Sequence, residues 1–160
     1  MSKYQLSICT IAKNEGPYLL EWFEFHKLVG VEHFYFYDNE STDDTKEILD
    51  FYVNLGQATY HYWPGKKTAK GEKGRTYPAA PHLRVIKHCL HNYKNHTKWL
   101  AIIDLDEFLF SPETNNLQNI LEEYQNFPAI AVNWLTFGSS GHLNKPKGLQ
   151  IENFIKRSST

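Results

Sequence analysis

An α/β domain on a mostly parallel sheet is the fold class this sequence predicts, and three observations predict it. Short β-rich apolar runs recur at residues 6–11, 33–37, 58–63, 99–103 and 129–134. Most are separated by stretches whose apolar residues recur at helical spacing, and turn or capping residues punctuate the joins. The 160 residues predict one domain, 1–160, able to bury a core.

Leu6 to Ile11 reads as a strand buried on both faces. Gly16-Pro17 stops it and opens a helix, with proline suited to the first turn. Leu19, Trp22, Phe23, His26 and Val29 give that helix its inner face, and Gly30 closes it. His33 to Tyr37 forms a second strand, which Asp38-Asn39-Glu40 breaks. Ser41-Thr42-Asp43-Asp44 then predicts a helix start, because a hydroxyl cap followed by acids satisfies free amides at the positive helix end. Ile48, Leu49, Tyr52 and Leu55 supply its buried face.

A third strand is expected at Ala58 to Trp63. From Pro64 to Pro81 the chain turns basic, with Lys66, Lys67, Lys70, Lys73 and Arg75 among glycines and prolines. A long mobile loop is expected there, of the length that often carries function. It is either a solvated loop or one that closes over a diphosphate. Leu83, Ile86, Leu90 and Tyr93 mark a helix, and Trp99 to Ile103 reads as the most buried strand. Leu117, Ile120, Leu121 and Tyr124 mark a further helix, Ala129 to Trp134 a further strand, and Gly138 to Gly141 a loop.

Composition excludes several classes. At 41% hydrophobic and 15% aromatic the chain is not disordered, and a net charge of -1 gives no global attraction to nucleic acid. No secretory signal, membrane span or lipidation signal is legible. Cys9 and Cys89 lie in apolar patterns and are expected as buried thiols. The expectation is a cytoplasmic protein, compatible with peripheral association at a membrane. No Walker loop, GxSxG elbow or dinucleotide fingerprint occurs, which counts against nucleotide hydrolysis, esterases and dehydrogenases.

Ligands of such sheets bind at the carboxyl ends of the strands. Three polar clusters fall there: Lys13-Asn14-Glu15, Asp38-Asn39-Glu40 and Asp104-Leu105-Asp106-Glu107. Two carboxylates brought together at a strand end repel, and a hard divalent cation such as Mn²⁺ or Mg²⁺ resolves the conflict while bridging diphosphate oxygens. An exposed acidic turn or a helix cap is the alternative. Asp38 suits a nucleobase N–H or, alternatively, an Asx-type turn. Asn14 and Glu15 have a similar alternative as turn residues. Histidines 82, 88, 91 and 96 put no three on one helix face and read as surface or packing residues.

Ile11 to Trp22 followed by Phe25-His26 resembles the opening of family 2-like glycosyltransferases and of the related family 92 group, once called domain of unknown function 23. Asp38 to Thr45, Trp99 to Leu109, and Asn133-Trp134 with Phe137 to His142 resemble three further signatures, in family order. The resemblance implies a GT-A (Rossmann-like) fold, a nucleotide-diphosphate sugar donor, a saccharide or glycan acceptor, and Mn²⁺ or Mg²⁺. It puts Asp38 at the nucleobase, Asp104 and Asp106 at the ribose and the metal-bound diphosphate, and Asn14 and Glu15 along the nucleotide pocket. It turns Trp134, Gly138, Ser139 and His142 toward sugar or acceptor.

Two departures stand out. The family usually has glutamine where His82 lies, and it continues past this C-terminus with a strand and a metal-binding histidine. The resemblance therefore implies a chain shortened at its C-terminus, and no residue matches the family's catalytic base. A noncatalytic nucleotide-binding remnant and a metal-dependent nucleotidyltransferase are the rival readings.

Overall fold

The computed structural model describes residues 2–65, 69–70, 76–77 and 81–157. In chain order the elements are β1 (Tyr4–Ala12), α1 (Gly16–Leu28), β2 (His33–Asp38), α2 (Thr45–Asn54), β3 (Ala58–Tyr62), β4 (Ala69–Lys70), β5 (Thr76–Tyr77), α3 (Pro81–Tyr93), β6 (Thr97–Ile102), α4 (Leu117–Glu123) and α5 (Gln150–Asn153). They fall into two compact units, Met1–Glu122 and Glu123–Thr160.

The first unit carries a four-stranded parallel sheet in the order β3-β2-β1-β6. This is the α/β architecture the sequence predicts, a Rossmann-like sheet flanked by helices. Side chains alternate across β1 and β2 because the strand period is two. Leu6, Ile8, Ala12, Phe34 and Phe36 join Leu19, Trp22 and Phe23 of α1 and Leu49 and Tyr52 of α2 in one core. Cys9, Tyr35 and Tyr37 join Val85 and Cys89 of α3 in a second. With helices on both faces, all six residues of β2 are buried. Both thiols are free and buried, as expected.

Two helices end in the same device. Gly30 N–H donates to the Lys27 carbonyl at 3.1 Å and Val31 N–H to that of His26 at 2.9 Å, with Gly30 at φ +100. Gly56 and Gln57 repeat this after α2, donating to Val53 and Tyr52 at 2.9 Å each. These are Schellman closures, which satisfy the last carbonyls of a helix through a left-handed residue.

Several expectations are corrected. The strand expected to be most buried, at Trp99 to Ile103, is the edge strand β6; only Thr97 is buried and Ile102 is 47% exposed. A continuous apolar run reports side-chain chemistry and carries no mark of sheet position, whereas an edge strand has a neighbour on one side only. Helix α3 forms, but its buried residues are Val85 and Cys89, while Leu83 and Leu90 are exposed. Leu55, which caps the end of α2, is exposed as well. No strand forms at Ala129 to Trp134. Of the basic loop, residues 69–70 and 76–77 pair as a short antiparallel ladder, and Lys66, Lys67, Lys73 and Arg75 lie outside the described residues.

In the second unit Phe137 bridges Arg157 antiparallel, and Gly138 N–H donates to the Lys156 carbonyl at 2.9 Å. None of its described residues is buried. Among the described residues, no helix is long and apolar enough to cross a membrane.

Candidate functional site

The chain builds β1, β2 and β3 side by side, then crosses back to lay β6 against the other flank of β1. The order therefore reverses between β1 and β6, and a crevice opens outside the carboxyl ends of strands at such a reversal. The turn after β1 carries Lys13-Asn14-Glu15, and the turn after β6 carries Asp104-Leu105-Asp106. Asp38 ends β2, in register with Ala12 of β1 and Tyr62 of β3. The fold thus brings the three polar clusters to one edge of the sheet.

Asp38 is 2% exposed, yet both of its oxygens are engaged. Oδ1 accepts the Ser41 amide at 2.9 Å and Oδ2 accepts the Tyr60 hydroxyl at 2.9 Å. The first bond is the Asx-type turn that sequence reasoning weighed as an alternative role. Burial and the neighbouring carboxylate push the Tyr60 hydroxyl well above the usual phenol range, so it stays a donor.

Asn14 sits at φ 57 and Glu40 at φ 63, left-handed conformations that side chains other than glycine adopt at a cost of about 1–2 kcal/mol. Asn14 is held by both of its ends. Its amide donates to Ser41 Oγ at 2.9 Å, and its Oδ1 accepts the Thr42 amide at 2.8 Å. Glu15 N–H donates to Thr45 Oγ1 at 3.1 Å. Asn14, Glu15 and Asp38 are therefore joined through the residue 41–45 loop.

At the end of β6, Leu105 is buried in the α1-side core while Asp104 and Asp106 on either side of it are exposed. The turn is fixed by its backbone. Asp104 N–H donates to Glu107 Oε2 at 2.9 Å, and Glu107 N–H returns a 3.2 Å bond to the Asp104 carbonyl. Glu107 thus supports the strand end. Asp104 Oδ1 lies 3.8 Å from His82 Nδ1, both well exposed. The Asp106 carboxylate has no partner among the described residues.

Two residues of α1 hold this turn from behind, and sequence reasoning read them only as core. Trp22 Nε1–H donates to the Glu107 carbonyl at 2.9 Å, and His26 Nε2 accepts the Leu109 amide at 3.1 Å. The accepting Nε2 bears no proton, so Nδ1 carries it and donates to the Trp22 carbonyl at 2.8 Å. Burial pushes the imidazole down to about 4 and keeps it neutral. The aromatic spacing in α1 was a visible signal of burial; the polar atoms of these rings carried none.

The donor set fits a hard cation. Mg²⁺ and Mn²⁺ sites often use one or two carboxylates and complete their shell with water and substrate phosphate. Asp104 and Asp106 offer two carboxylates to solvent. Among the described residues no group of three or more His, Cys, Asp or Glu could form an all-protein cage.

The remaining candidates belong to the second unit. Trp134 is 81% exposed. Ser139 accepts the His142 amide with its carbonyl at 2.9 Å, and the His142 ring meets Phe154 edge-on at 5.9 Å. Ser140 and Gly141 both adopt positive φ, so Gly138 to Gly141 is the loop expected.

Comparison with known proteins adds an independent line. The profile of glycosyltransferase family 92 matches residues 3–158. A glycosyltransferase family 92 protein of Oryza sativa subsp. japonica is 30% identical over 148 residues, covering 90% of this chain and 23% of its own length. A family 92 protein of Ricinus communis is 29% identical over 148 residues, covering 89% of this chain and 24% of its own. A galactan beta-1,4-galactosyltransferase of Arabidopsis thaliana is 28% identical over 134 residues, 78% of this chain and 25% of its own. The chain spans about a quarter of the length of these curated relatives. No solved structure matches it.

Proposed function

The chain belongs to glycosyltransferase family 92, and on that premise we propose that its sheet edge binds a nucleotide-diphosphate sugar for transfer to a hydroxyl of a glycan acceptor. One observation carries the reading: two solvent-facing carboxylates, Asp104 and Asp106, flank buried Leu105 where the strand order reverses. Two carboxylates open to solvent on the same turn can share a hard cation, and a diphosphate supplies the oxygens that complete the cation's shell.

In this reading Asp106, with Asp104, holds Mn²⁺ or Mg²⁺, which when bound offsets charge on the departing nucleoside diphosphate. Asp104 also faces the ribose. Asp38 offers the remaining lone pairs of its oxygens to a base N–H, with its carboxylate oriented by Ser41 and Tyr60. Asn14 and Glu15 shape the adjoining wall. Trp22, His26 and Glu107 keep the β6 turn fixed so that the carboxylates need no reorganisation. In the second unit, Trp134, Gly138, Ser139 and His142 are the residues proposed for sugar or acceptor contacts.

The test is calorimetric titration with nucleoside diphosphates, with and without Mn²⁺, on the wild type and Asp106→Asn. Mn²⁺-dependent binding that weakens at least tenfold in the variant is expected, about 1.4 kcal/mol or more. Equal binding by both proteins sinks the metal assignment. Transfer and hydrolysis assays over a donor panel, galactose-bearing nucleotide sugars first, then separate an enzyme from a binding remnant. Release of pyrophosphate from a nucleoside triphosphate instead favours the nucleotidyltransferase reading.

A further inference from the structure

Three consecutive backbone amides at the head of α1 are each taken by a side chain of the loop that follows β2. Asn14 N–H goes to Ser41 Oγ at 2.9 Å, Glu15 N–H to Thr45 Oγ1 at 3.1 Å and Gly16 N–H to Asp43 Oδ2 at 3.1 Å. The other oxygen of Asp43, Oδ1, accepts the Thr45 amide at 3.1 Å, where α2 begins. One carboxylate therefore sits between the positive ends of two helices.

The backbone around it has the form of an anion nest. Asn14 lies at φ 57 and Glu15 at φ -110, a left-handed residue followed by a right-handed one, which turns successive amides toward one point. In many α/β sheets the turn after a strand receives a ligand phosphate on such amides. Here nothing is left to offer. Pro17 has no N–H, and the amides of Tyr18 and Leu19 both donate to the Glu15 carbonyl, at 3.0 and 3.2 Å. Gly16 permits the close approach: a Cβ there lies 1.9 Å from Asp44 Oδ1 and 3.1 Å from the Thr45 backbone nitrogen.

We propose that Asp43 is a built-in counter-anion, a positioning residue that takes the Gly16 amide at the head of α1 and the Thr45 amide at the head of α2 and, with the hydroxyls of Ser41 and Thr45 on the other two nest amides, closes the nest to ligand phosphate. Two consequences follow. The turns carrying Asn14 and Asp38 are locked to each other through Asp43, Ser41 and Thr45. A diphosphate bound at this sheet edge finds no free amide at the head of α1, so in the donor-site reading a cation at Asp104 and Asp106 would meet its charge. The second consequence rests on the donor-site reading above; the filling of the nest does not.

The experiment removes the internal anion and offers external ones. The full chain with Asp43→Ala, Asp43→Ser or Asp43→Asn is unfolded thermally without metal, in chloride, formate or inorganic phosphate at equal ionic strength. Wild type is expected to show only the general, non-saturable rise that an excluded salt such as phosphate gives any folded protein. The Ala and Ser variants are expected to lose several degrees in chloride and to recover most of the loss, saturably, in formate or phosphate. Asp43→Asn is expected to fall less and to recover nothing, because its carboxamide still occupies the space. In amide-resolved NMR of the Ser variant, the signals of Gly16 and Thr45, the two amides that Asp43 holds, should move as phosphate is added. Loss of stability without saturable recovery in either small variant, or phosphate shifting those amides in wild type, overturns the proposal. Recovery intact alongside failed Mn²⁺-dependent nucleotide binding sinks the donor reading and leaves this one standing.

Discussion

His26 Nε2 accepts the backbone amide of Leu109 at 3.1 Å, so a buried side chain of α1 holds the chain three residues past Asp106. With Trp22 gripping the Glu107 carbonyl at 2.9 Å, the segment after β6 is fastened to α1 by two polar atoms inside an otherwise apolar face. Only neutral imidazole with its proton on Nδ1 can do this. Protonation puts a donor where the Leu109 N–H already points.

That tautomer makes stability depend on pH. Burial holds the His26 imidazole down at about 4 against about 6.5 when free, so between those values the unfolded chain binds the proton and the folded chain does not. Its contribution is complete above pH 6.5 and is lost as pH falls toward 4, in total on the order of 3 kcal/mol. His33 adds in the same window, held down to about 4 by burial first and then by Lys3. Urea midpoints measured from pH 7 to 4.5 should fall for wild type. In His26→Gln they should fall less steeply, since one of the protons that only the unfolded chain binds is removed; His33 and His61, the latter also held down by burial, keep the rest of the slope. Identical slopes would show that His26 does not titrate as the geometry requires.

Asp38 separates a folding role from a binding role. Asp38→Asn keeps an oxygen for the Ser41 amide and turns an NH₂ toward the Tyr60 oxygen, so it should lose less than about 1 kcal/mol. Asp38→Ala orphans two donors and should lose about 2–4 kcal/mol; Tyr60→Phe removes one donor from a buried oxygen and should lose about 1–3 kcal/mol. If Asp38 also meets a base, Asp38→Asn should weaken nucleotide binding while staying folded. Equal destabilisation by Asn and Ala defeats this account.

The sequence made one level of this organisation legible and hid another. Ile8, Phe34 and Tyr35 announce strands because both faces of the sheet are covered by apolar helices, and that pressure is local. β6 was misjudged because nothing in Trp99 to Ile102 encodes the neighbour it lacks. Ala129 to Trp134 has strand composition, but composition supplies no ladder partner. Ser41-Thr42-Asp43-Asp44 reads as a local cap for α2. In the structure Ser41, Asp43 and Thr45 chiefly satisfy amides of a turn 27–30 residues earlier. Side-chain bonds to distant backbone have no periodicity, so the polar clusters could be found while their wiring could not.

The two Schellman glycines provide a matched pair. Both adopt left-handed φ, +100 at Gly30 and +71 at Gly56. A methyl at Gly56 meets open space, so Gly56→Ala should show backbone strain alone, about 1 kcal/mol. At Gly30 the methyl lies 2.7 Å from Asn116 Oδ1, beside the bond from Gln118 Nε2 to the Gly30 carbonyl at 2.7 Å that docks α4. Gly30→Ala should therefore lose about 2–3 kcal/mol, strain plus a disturbed contact. Guanidinium denaturation of both variants decides it, and a Gly56 loss equal to or above that of Gly30 contradicts the packing argument.

Leu105 gives the last prediction, because it links packing to the proposed metal. Its side chain is 4% exposed in the α1-side core, and its burial turns its neighbours Asp104 and Asp106 outward. Leu105→Ala should lose about 2–5 kcal/mol through the cavity it leaves. Leu105→Met conserves volume and should lose less than about 1.5 kcal/mol. If the anchored turn pre-organises the carboxylates, Mn²⁺ binding with nucleoside diphosphate should weaken several-fold in Leu105→Ala and hardly change in Leu105→Met. Electron paramagnetic resonance of free Mn²⁺, taken well below each Tm, measures this with every carboxylate still present. Wild-type affinity in a folded Leu105→Ala protein would mean that the cation gathers its own ligands and that the anchor serves stability alone.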